Sequence, residues 1–268
     1  MCLIVLALHA HARHPLVVAA NRDEDLDRPT APAAFWPGEA GLLAGRDLRS
    51  GGTWMGVTRT GRFSALTNVR DPRAHDPVAP SRGGLVVRFL AGGAEPLAHA
   101  RAVAAERARA NGFNLLAGAG GRLAWVSNAG GEPTEVTPGV HAVSNAALDT
   151  PWPKALRAAA GLRRALAAGG AIDPEALFEV LADRQIAADD ELPSTGVPLE
   201  VERLLSAPFI VAPGYGTRAS TLLLAGRDGR AELLERRFDA SFRESGTSRF
   251  ELEFPGWNGV FETRFPPS

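Results

Sequence analysis

The residues with the clearest chemical potential lie at the start of the chain. Cys2 is the single cysteine among 268 residues, and removal of Met1 would place its thiol and a free α-amine on one residue. An α-amine has an ordinary pKa of about 7.7 to 8.0 and a thiol one of about 8.5, so the amine can act as general base toward the sulfur. This position predicts an N-terminal thiol nucleophile. Because free cysteine is among the most buried residue types, a packed strand cysteine is the alternative.

A second candidate group is Asn-Arg-Asp-Glu at residues 21–24, directly after the apolar run "LVVAA". At the end of a buried strand, Arg22 can hold a substrate carboxylate or lower the pKa of the thiol. Asp23 or Glu24 can accept a hydrogen bond from a protonated amine or orient Arg22. The alternative is a solvated strand end with a surface ion pair, which is worth about 0 to 1 kcal/mol.

The composition is that of an ordinary globular protein, with 45% apolar and 22% charged residues. The net charge of −1 gives no bulk attraction to nucleic acid or to an anionic membrane, so we expect no nucleic-acid partner. No stretch approaches the roughly 20 apolar residues of a membrane helix. A single cysteine excludes an internal disulfide. We expect one domain over residues 1–268 and a cytoplasmic protein.

Strand and helix signals occur in runs and do not alternate. The strand signals lie at 2–8, 15–21, 53–68 with a turn at Thr60-Gly61, 113–130, 139–146 and 208–255. The helix signals lie at 82–93 with Ser81 as cap, 96–110 opened by Pro96, 152–170 and 175–185. Residues 23–41 and 188–206 read as loops. This order predicts an α+β fold of antiparallel sheets covered by helices.

Three histidines near the first predicted turn, His9, His11 and His14, are the most plausible metal ligands. Their spacing in a loop matches no standard zinc pattern, and no cysteine accompanies them. The sequence therefore predicts no metal site, with these histidines on a solvated loop.

Several motifs together resemble one family. They are the Met-Cys strand, Asn-Arg-Asp-Glu, "GGTWMGV", "TNVRDP", "SNAALDTPWPK" and "YGTRASTLLL", in order from Cys2 to about Leu224. This pattern resembles the NRDE family, the family of transport and Golgi organisation protein 2. That family in turn resembles the N-terminal-nucleophile (Ntn) hydrolases of the cysteine class, such as choloylglycine hydrolase and penicillin V acylase. The resemblance implies a four-layer αββα sandwich and cleavage of non-peptide C–N amide bonds.

The resemblance also implies roles for individual residues. Cys2 matches the nucleophile, and Arg22 and Asp23 match in type an arginine and an aspartate that lie against the thiol and amine. Because their spacing differs from that of the hydrolases, Asn21 and Glu24 are alternative equivalents and candidates for substrate binding.

Later residues complete the implied site. Asn68 is placed to supply an oxyanion donor, Asn145 matches a second asparagine, and Arg218 matches a late arginine near the nucleophile. Trp54 and Trp152 flank motif residues and are candidates for the walls of a substrate pocket. Each has a plain alternative: an asparagine at a strand end can cap a turn, an arginine can form a structural ion pair, and large aromatics are commonly core residues.

Two functions fit these observations. The first is a cofactor-free amidohydrolase that uses Cys2 on a small-molecule amide. The alternative is a non-catalytic haem or lipid/acyl-CoA binding and trafficking protein on the same fold, because members of the family have been connected with haem homeostasis and lipid metabolism. Haem needs an apolar slot and an axial ligand, here Cys2 or a histidine. Leu3 stands where haem-regulatory Cys-Pro sites have proline. A purely structural interaction protein is unsupported, since heptads and low-complexity tails are missing.

Overall fold

The computed structural model describes residues 2–39, 41–106, 110–167 and 170–258. Within these residues the chain forms two antiparallel sheets of seven strands each. The first sheet has the spatial order β10 (Gly139–Val143), β1 (Cys2–Leu8), β2 (Leu16–Asp25), β12 (Tyr215–Ala225), β13 (Arg230–Phe238) and β14 (Glu244–Glu253), with β11 (Val211–Ala212) paired to β12. The second sheet has the order β3 (Thr30–Phe35), β4 (Leu42–Asp47), β5 (Met55–Thr58), β6 (Phe63–Asn68), β7 (Phe113–Ala119), β8 (Arg122–Ser127) and β9 (Thr134–Glu135).

Helices cover the outer faces of both sheets. The helices are α1 (Gly83–Ala91), α2 (Pro96–Glu106), α3 (Pro153–Ala167), α4 (Pro174–Leu181) and α5 (Leu199–Leu204). Helices α1 and α2 pack on the second sheet, and α3 and α4 pack on the first. The predicted α+β fold with four layers, αββα, is confirmed. Among the described residues, none of the helices has both the length and the apolar character needed to cross a bilayer.

Strand β1 shows why its sequence is apolar at every position. Ile4 and Leu6 belong to the core between the two sheets, whereas Leu3 and Val5 belong to the core between the first sheet and α3 and α4. Successive side chains of a strand alternate between its faces, so a strand buried on both sides reads as a continuous apolar run. The same alternation places the Cys2 side chain on the face toward the second sheet.

Strand β2 is longer than its apolar run. The residues 21–24 were predicted to follow the strand, but they lie inside it, because β1 supplies backbone partners as far as Arg22 and β12 as far as Asp25. Cys2 pairs with Arg22 on one side, and Tyr215 pairs with Asp25 on the other. The polar side chains are therefore distributed over both faces of a central strand, and a solvated strand end is excluded.

Three other predictions of local structure were wrong. Residues 30–35, read as loop because of their prolines, form the edge strand β3, where a register shift between Ala31 and Ala34 accommodates Pro32. Residues 199–204, also read as loop, form the short helix α5. The apolar run at 208–216, read as a strand, contributes only two residues before Tyr215, where β12 begins.

The predicted hairpin with its turn at Thr60-Gly61 is confirmed between β5 and β6. Gly61 has a φ of +80°, and a Cβ at this position would lie 1.9 Å from the carbonyl oxygen of Pro255. The indole Nε1 of Trp257 donates to the Gly61 carbonyl over 2.8 Å. The turn thus seats the segment after β14 against the edge of the inter-sheet core.

We predict that Leu162→Ala lowers the free energy of unfolding by about 2 to 5 kcal/mol, because it opens a cavity in the core between α3 and the first sheet. Leu162 has no exposed surface. Leu156→Ala on the same helix is the matched control: its side chain is 55% exposed, so we expect a loss of about 0.5 kcal/mol or less. Urea denaturation measures both, and equal losses would contradict the assignment of this helix face to the core.

Candidate active site

A pocket opens between the two sheets at the beginning of β1. It has a volume of about 350 Å³. Six of the residues singled out in the sequence or implied by its resemblance line this pocket: Cys2, Arg22, Asp23, Glu24, Trp54 and Asn68. The first four come from the paired strands β1 and β2, whereas Trp54 precedes β5 and Asn68 ends β6 in the opposite sheet. The pocket therefore brings together residues that are far apart in the chain.

Cys2 is fixed by its neighbours and 9% exposed. The hydroxyl of Ser144 donates to the Cys2 carbonyl oxygen over 3.1 Å. Burial raises the pKa of the Cys2 thiol, since desolvation disfavours the thiolate. The backbone N–H of Asp23 and the positive charge of Arg22 act in the opposite direction and lower this pKa. The thiol is held at a pocket wall with a donor and a cation nearby.

Arg22 lies on the same face as Cys2 and is 4% exposed. Its Nη2 donates to Glu24 over 3.4 Å, and its guanidinium carbon lies 4.3 Å from the centre of the Trp54 ring. Its Nη1 is buried and has no hydrogen-bond partner among the described residues. Burial lowers the pKa of Arg22, and the charges of Glu24 and Cys2 oppose that effect. One donor group of this buried guanidinium is thus left without an acceptor.

Glu24 links Arg22 to a second arginine. Its Oε2 lies 3.6 Å from Nε of Arg28, whose Nη2 binds Asp47 over 2.6 Å. Arg28 also donates to the Ser50 hydroxyl. The four charged side chains, Arg22, Glu24, Arg28 and Asp47, form a chain of alternating charges along the pocket wall, so Glu24 orients two guanidinium groups.

Asp23 follows Arg22 in the strand, and its carboxylate is engaged from the opposite face of the sheet. The Thr217 hydroxyl donates to its Oδ1 over 2.7 Å. Burial raises the pKa of Asp23, whereas the positive charge of Lys154 lowers it. Asp23 therefore reaches the Cys2 sulfur through its backbone N–H and presents its carboxylate to the helix side.

Lys154, the only lysine of the chain, is 1% exposed and lies at the start of α3. Its Nζ donates to Asn145 Oδ1 over 3.1 Å, and Nδ2 of Asn145 donates to the backbone carbonyl of Asn68 over 2.8 Å. Burial lowers the pKa of Lys154 to about 8, although the charge of Asp23 raises it. A chain of hydrogen bonds thus runs from the helix layer through the first sheet to the second.

Asn145 is held in place by these hydrogen bonds and does not line the pocket. Its Oδ1 also accepts from the Ser144 hydroxyl over 3.2 Å, and its backbone carbonyl accepts from the N–H of Arg70. The amide orientation is fixed, because the Lys154 ammonium can only donate and the Asn68 carbonyl can only accept. Asn145 holds the end of β6, from which Asn68 faces the pocket.

Besides Asn145, three of the expected site residues are not among those that line the pocket. The buried side chain of Asn21 donates to the carbonyls of Leu181 and Pro208 and accepts from Ser220, so it joins β2 to α4 and β12. Its predicted contact with substrate is replaced by this structural role, because the alternation of β2 puts Asn21 on the helix face.

Trp152 and Arg218 are the other two. Trp152 packs against the core under α3. The guanidinium carbon of Arg70 lies over its ring, 4.9 Å from the ring centre, in a cation–π contact. Arg218 sits at a register shift in β12 and donates to the carbonyls of Asp25 and Leu26 over 2.9 and 2.8 Å. It therefore holds the segment from which Arg28 enters the pocket. In neither case does the predicted direct role fit this placement.

Ser144, Lys154 and Arg82 belong to the site or its support and were not among the predicted residues. Lys154 had a sequence signal, because it is the single lysine in a chain rich in arginine. Ser144 precedes a predicted site residue. Arg82 lines the pocket from the loop before α1. Nothing in its sequence context indicates this position, since the preceding loop folds across the pocket only in three dimensions.

The histidines lie far from Cys2. The first of the three, His9, follows the last residue of β1 and lies about 23 Å along the strand from Cys2 at about 3.3 Å per residue. Its Nε2 contacts the Gly121 carbonyl, and the rings of His11 and His14 lie 5.1 Å apart at an angle of 39°. Across the described residues, no group of three His, Cys, Asp or Glu side chains is arranged to hold a metal ion.

We predict that replacing the buried ammonium with Lys154→Met changes how stability depends on pH. The pKa of Lys154 is about 8 in the folded chain and 10.5 in an unfolded one. Between these values the unfolded chain binds more protons at this side chain, so the contribution of Lys154 to stability rises with pH. From pH 7 to 10, the unfolding free energy of the wild type minus that of Lys154→Met should rise by about 2 to 3 kcal/mol.

The Arg101→Met variant serves as the control, because it removes a positive charge from an exposed side chain rather than from a buried one. Its difference from the wild type should stay constant with pH. A constant difference for Lys154→Met as well would show that Lys154 keeps an ordinary pKa in the folded protein.

The sequence is similar to a set of curated proteins over most of its length. It is 34% identical over 257 residues to the transport and Golgi organization protein 2 homolog of Homo sapiens, covering 89% of this chain and 93% of that protein. The homolog of Mus musculus is 33% identical with the same coverage.

The fold is similar to that of a solved Ntn-type hydrolase. The C2A mutant of the conjugated bile acid hydrolase from Clostridium perfringens matches with a TM-score of 0.53 and 9% identity, over 97% of this chain and 94% of that one. At this identity the likeness concerns the fold alone. The family model described as Transport and Golgi organisation 2 matches residues 1–240. With the four-layer fold and the ordered motifs, these matches show that the chain belongs to the Transport and Golgi organisation 2 family.

Proposed function

We propose that this protein is an Ntn-type amidohydrolase in which Cys2, after removal of Met1, attacks a non-peptide C–N amide bond of a small molecule. The observation that carries the proposal is the position of Cys2. Its thiol lines a pocket together with the buried Arg22 and with Asn68 from the opposite sheet. A strand cysteine with a purely structural role needs neither a cavity nor a partly unpaired guanidinium beside it.

The strand register supports a role for Asp23. Cys2 stands opposite Arg22 in an antiparallel pair, so the next residue of β2, Asp23, lies toward the nitrogen end of Cys2. In the processed chain that nitrogen is the free α-amine. The Asp23 carboxylate would then stabilise the ammonium form of the amine, and Lys154 would keep Asp23 ionised despite its burial.

The chemical steps follow from these positions. The α-amine takes the proton of the Cys2 thiol, and the sulfur attacks the carbonyl carbon to form an S–C bond. The side chain of Asn68 donates to the oxyanion that develops. When the C–N bond breaks, the ammonium returns its proton to the leaving nitrogen. Water, deprotonated by the amine, then hydrolyses the thioester and restores the thiol. Arg22 stabilises the thiolate before attack.

This mechanism gives Asn145 a positioning role. Its Oδ1 is occupied by Lys154 and Ser144, and its Nδ2 binds the carbonyl of Asn68. Asn145 therefore controls where the Asn68 backbone lies, and the side chain of Asn68 is the donor that meets the oxyanion.

The geometry supports this chemistry better than haem binding. Haem needs an apolar slot, and charged and polar side chains dominate the wall around Cys2. The three N-terminal histidines lie at the other end of β1, so a single haem could not use them together with Cys2. Haem binding and lipid or acyl-CoA binding stay predictions of the family resemblance.

The first test uses p-nitrophenyl acetate as an activated acyl donor. Intact mass spectrometry of the purified chain should show loss of Met1 and, after mixing, the addition of one acetyl group per chain. Cys2→Ala should fold with an unchanged circular dichroism spectrum and remain unacetylated, because it lacks the nucleophile. A chain with one glutamate inserted between Met1 and Cys2 keeps the thiol but displaces the amine. Acetylation of that chain at the wild-type rate would contradict the role of the α-amine.

A second prediction isolates the oxyanion donor. Asn68→Ala should lower the acetylation rate by about 10² to 10³, which is the typical effect of losing one oxyanion donor. Alkylation of Cys2 by iodoacetamide forms no oxyanion, so its rate should change little in the same variant. If both rates fall equally, Asn68 acts on the thiol or on the fold.

A further inference from the structure

We infer that the Cys2 pocket contains an anion subsite formed by Arg22, Arg82 and the N-terminus of α1, and that its ligand carries a carboxylate or phosphate group. The identification of this ligand as a substrate rests on the proposed function. The subsite itself rests on the charges and hydrogen bonds of the pocket.

The first observation is the unsatisfied donor of Arg22. This side chain lines the pocket, is 96% buried, and leaves Nη1 without a partner among the described residues. A buried unpaired donor of a charged group is costly, by about 1 to 3 kcal/mol or more. An anionic oxygen in the pocket would supply the missing acceptor and neutralise the charge.

The second observation is Arg82, which enters the pocket from the opposite sheet's helical layer. Its Nη1 donates to the Gly112 carbonyl over 3.0 Å, which anchors the side chain. Its other guanidinium nitrogens form no hydrogen bond with the described residues. Arg82 lines the same pocket as Cys2 and Glu24. Burial lowers the pKa of Arg82, and the negative charges of Cys2 and Glu24 oppose this shift. Two guanidinium groups from different layers thus converge on one cavity.

The third observation is the N-terminus of helix α1, which directly follows Arg82. Helix α1 has nine residues and begins at Gly83, which lines the pocket beside Ser81 and Arg82. The residue before Gly83 provides no side-chain cap, and the Ser81 hydroxyl reaches the Gly83 N–H only at 3.4 Å. Uncapped N–H groups and the helix dipole favour an anion at such a position.

The charges of the pocket wall favour an anion as well. Four arginines and three acidic residues line it: Arg22, Arg28, Arg49, Arg82, Asp23, Glu24 and Asp47. The charge of Asp47 is compensated by its ion pair with Arg28. The charge of Asp23 is compensated by Lys154 on the helix side of the sheet. Glu24 alone is left to balance Arg22, Arg49 and Arg82. An amide that carries an anionic group on its acyl or amine side would complete the balance.

The test compares two alkylating reagents of nearly equal size, iodoacetate and iodoacetamide, on the full chain. Both attack through the same carbon, and only iodoacetate is an anion. The measured quantity is the rate of Cys2 alkylation by iodoacetate divided by the rate with iodoacetamide. This ratio, divided by the same ratio for free cysteine, reports the anion preference of the pocket. We expect this normalised ratio to exceed 10 in the wild type and to fall at least fivefold in Arg82→Gln.

Matched variants separate charge from folding. Ser81→Asp should lower the ratio as well, because it places a carboxylate at the subsite while supplying a better helix cap. Arg101→Gln removes an exposed arginine on α2 and should leave the ratio unchanged. A wild-type ratio near 1, or a ratio that Arg82→Gln and Ser81→Asp do not lower, would overturn the inference.

Protection experiments identify the anionic group. Inorganic phosphate or acetate, at millimolar concentration and constant ionic strength, should slow alkylation by iodoacetamide in the wild type and not in Arg82→Gln. Stronger protection by phosphate indicates a phosphate ligand, and stronger protection by acetate indicates a carboxylate. Protection by neither overturns the subsite. These readouts need no acyl transfer, so an inactive protein that still prefers iodoacetate would contradict only the hydrolase mechanism.

Discussion

The antiparallel pairing of β1 with β2 is the constraint on which the site depends. It sets Cys2 opposite Arg22 and puts both side chains on the face toward the second sheet. If β1 slipped by one residue along β2, Cys2 would turn to the helix face, where Leu3 and Val5 now pack. Its partner on β2 would then be Asn21 instead of Arg22. The two apolar faces of β1 oppose such a slip, since each fills a different core. The register of Cys2 is thus secured by apolar residues of the same strand that pack in the two cores.

The buried charges behind the pocket depend on one another. Lys154 and Asp23 each lose hydration, and each lowers the electrostatic cost of the other. Arg70 and Glu202 form a buried ion pair in the same region, and Thr195 donates to Glu202 through its N–H and its hydroxyl. Apolar residues of similar volume often stabilise a fold at least as well as such a network. Its position against the sheet that carries Cys2 supports a functional reason for retaining it.

The sequence predicted the elements with strong local signals and failed where tertiary contacts decide. Strand β1 and the hairpin of β5 and β6 were read correctly, because apolar runs and a Thr-Gly turn are local features. The polar half of β2 was read as a strand end, since only the neighbouring strands β1 and β12 reveal that it is paired. Pro32 concealed the edge strand β3 in the same way.

The site shows the same division. Cys2, Arg22 and Glu24 were predicted from residue type and position, and they do line one pocket. Lys154 was overlooked because lysine is normally exposed, and only the packing of α3 on the first sheet buries it. Arg82 was overlooked because the path of its loop is not encoded in any short motif.

A main-chain contact between two glycines, Gly52 and Gly83, forms part of the pocket wall. A Cβ at Gly52 would lie 2.6 Å from the backbone carbon of Gly83, so main chain touches main chain where the loop before β5 meets the first turn of α1. Neither partner has a side chain that can rotate away. A wider entrance therefore requires the whole helix to shift on the second sheet, which would disturb the packing of Val86 and Phe89. Ligand size is in this way coupled to core packing, and relatives with bulkier residues at these two positions should select ligands of a different size.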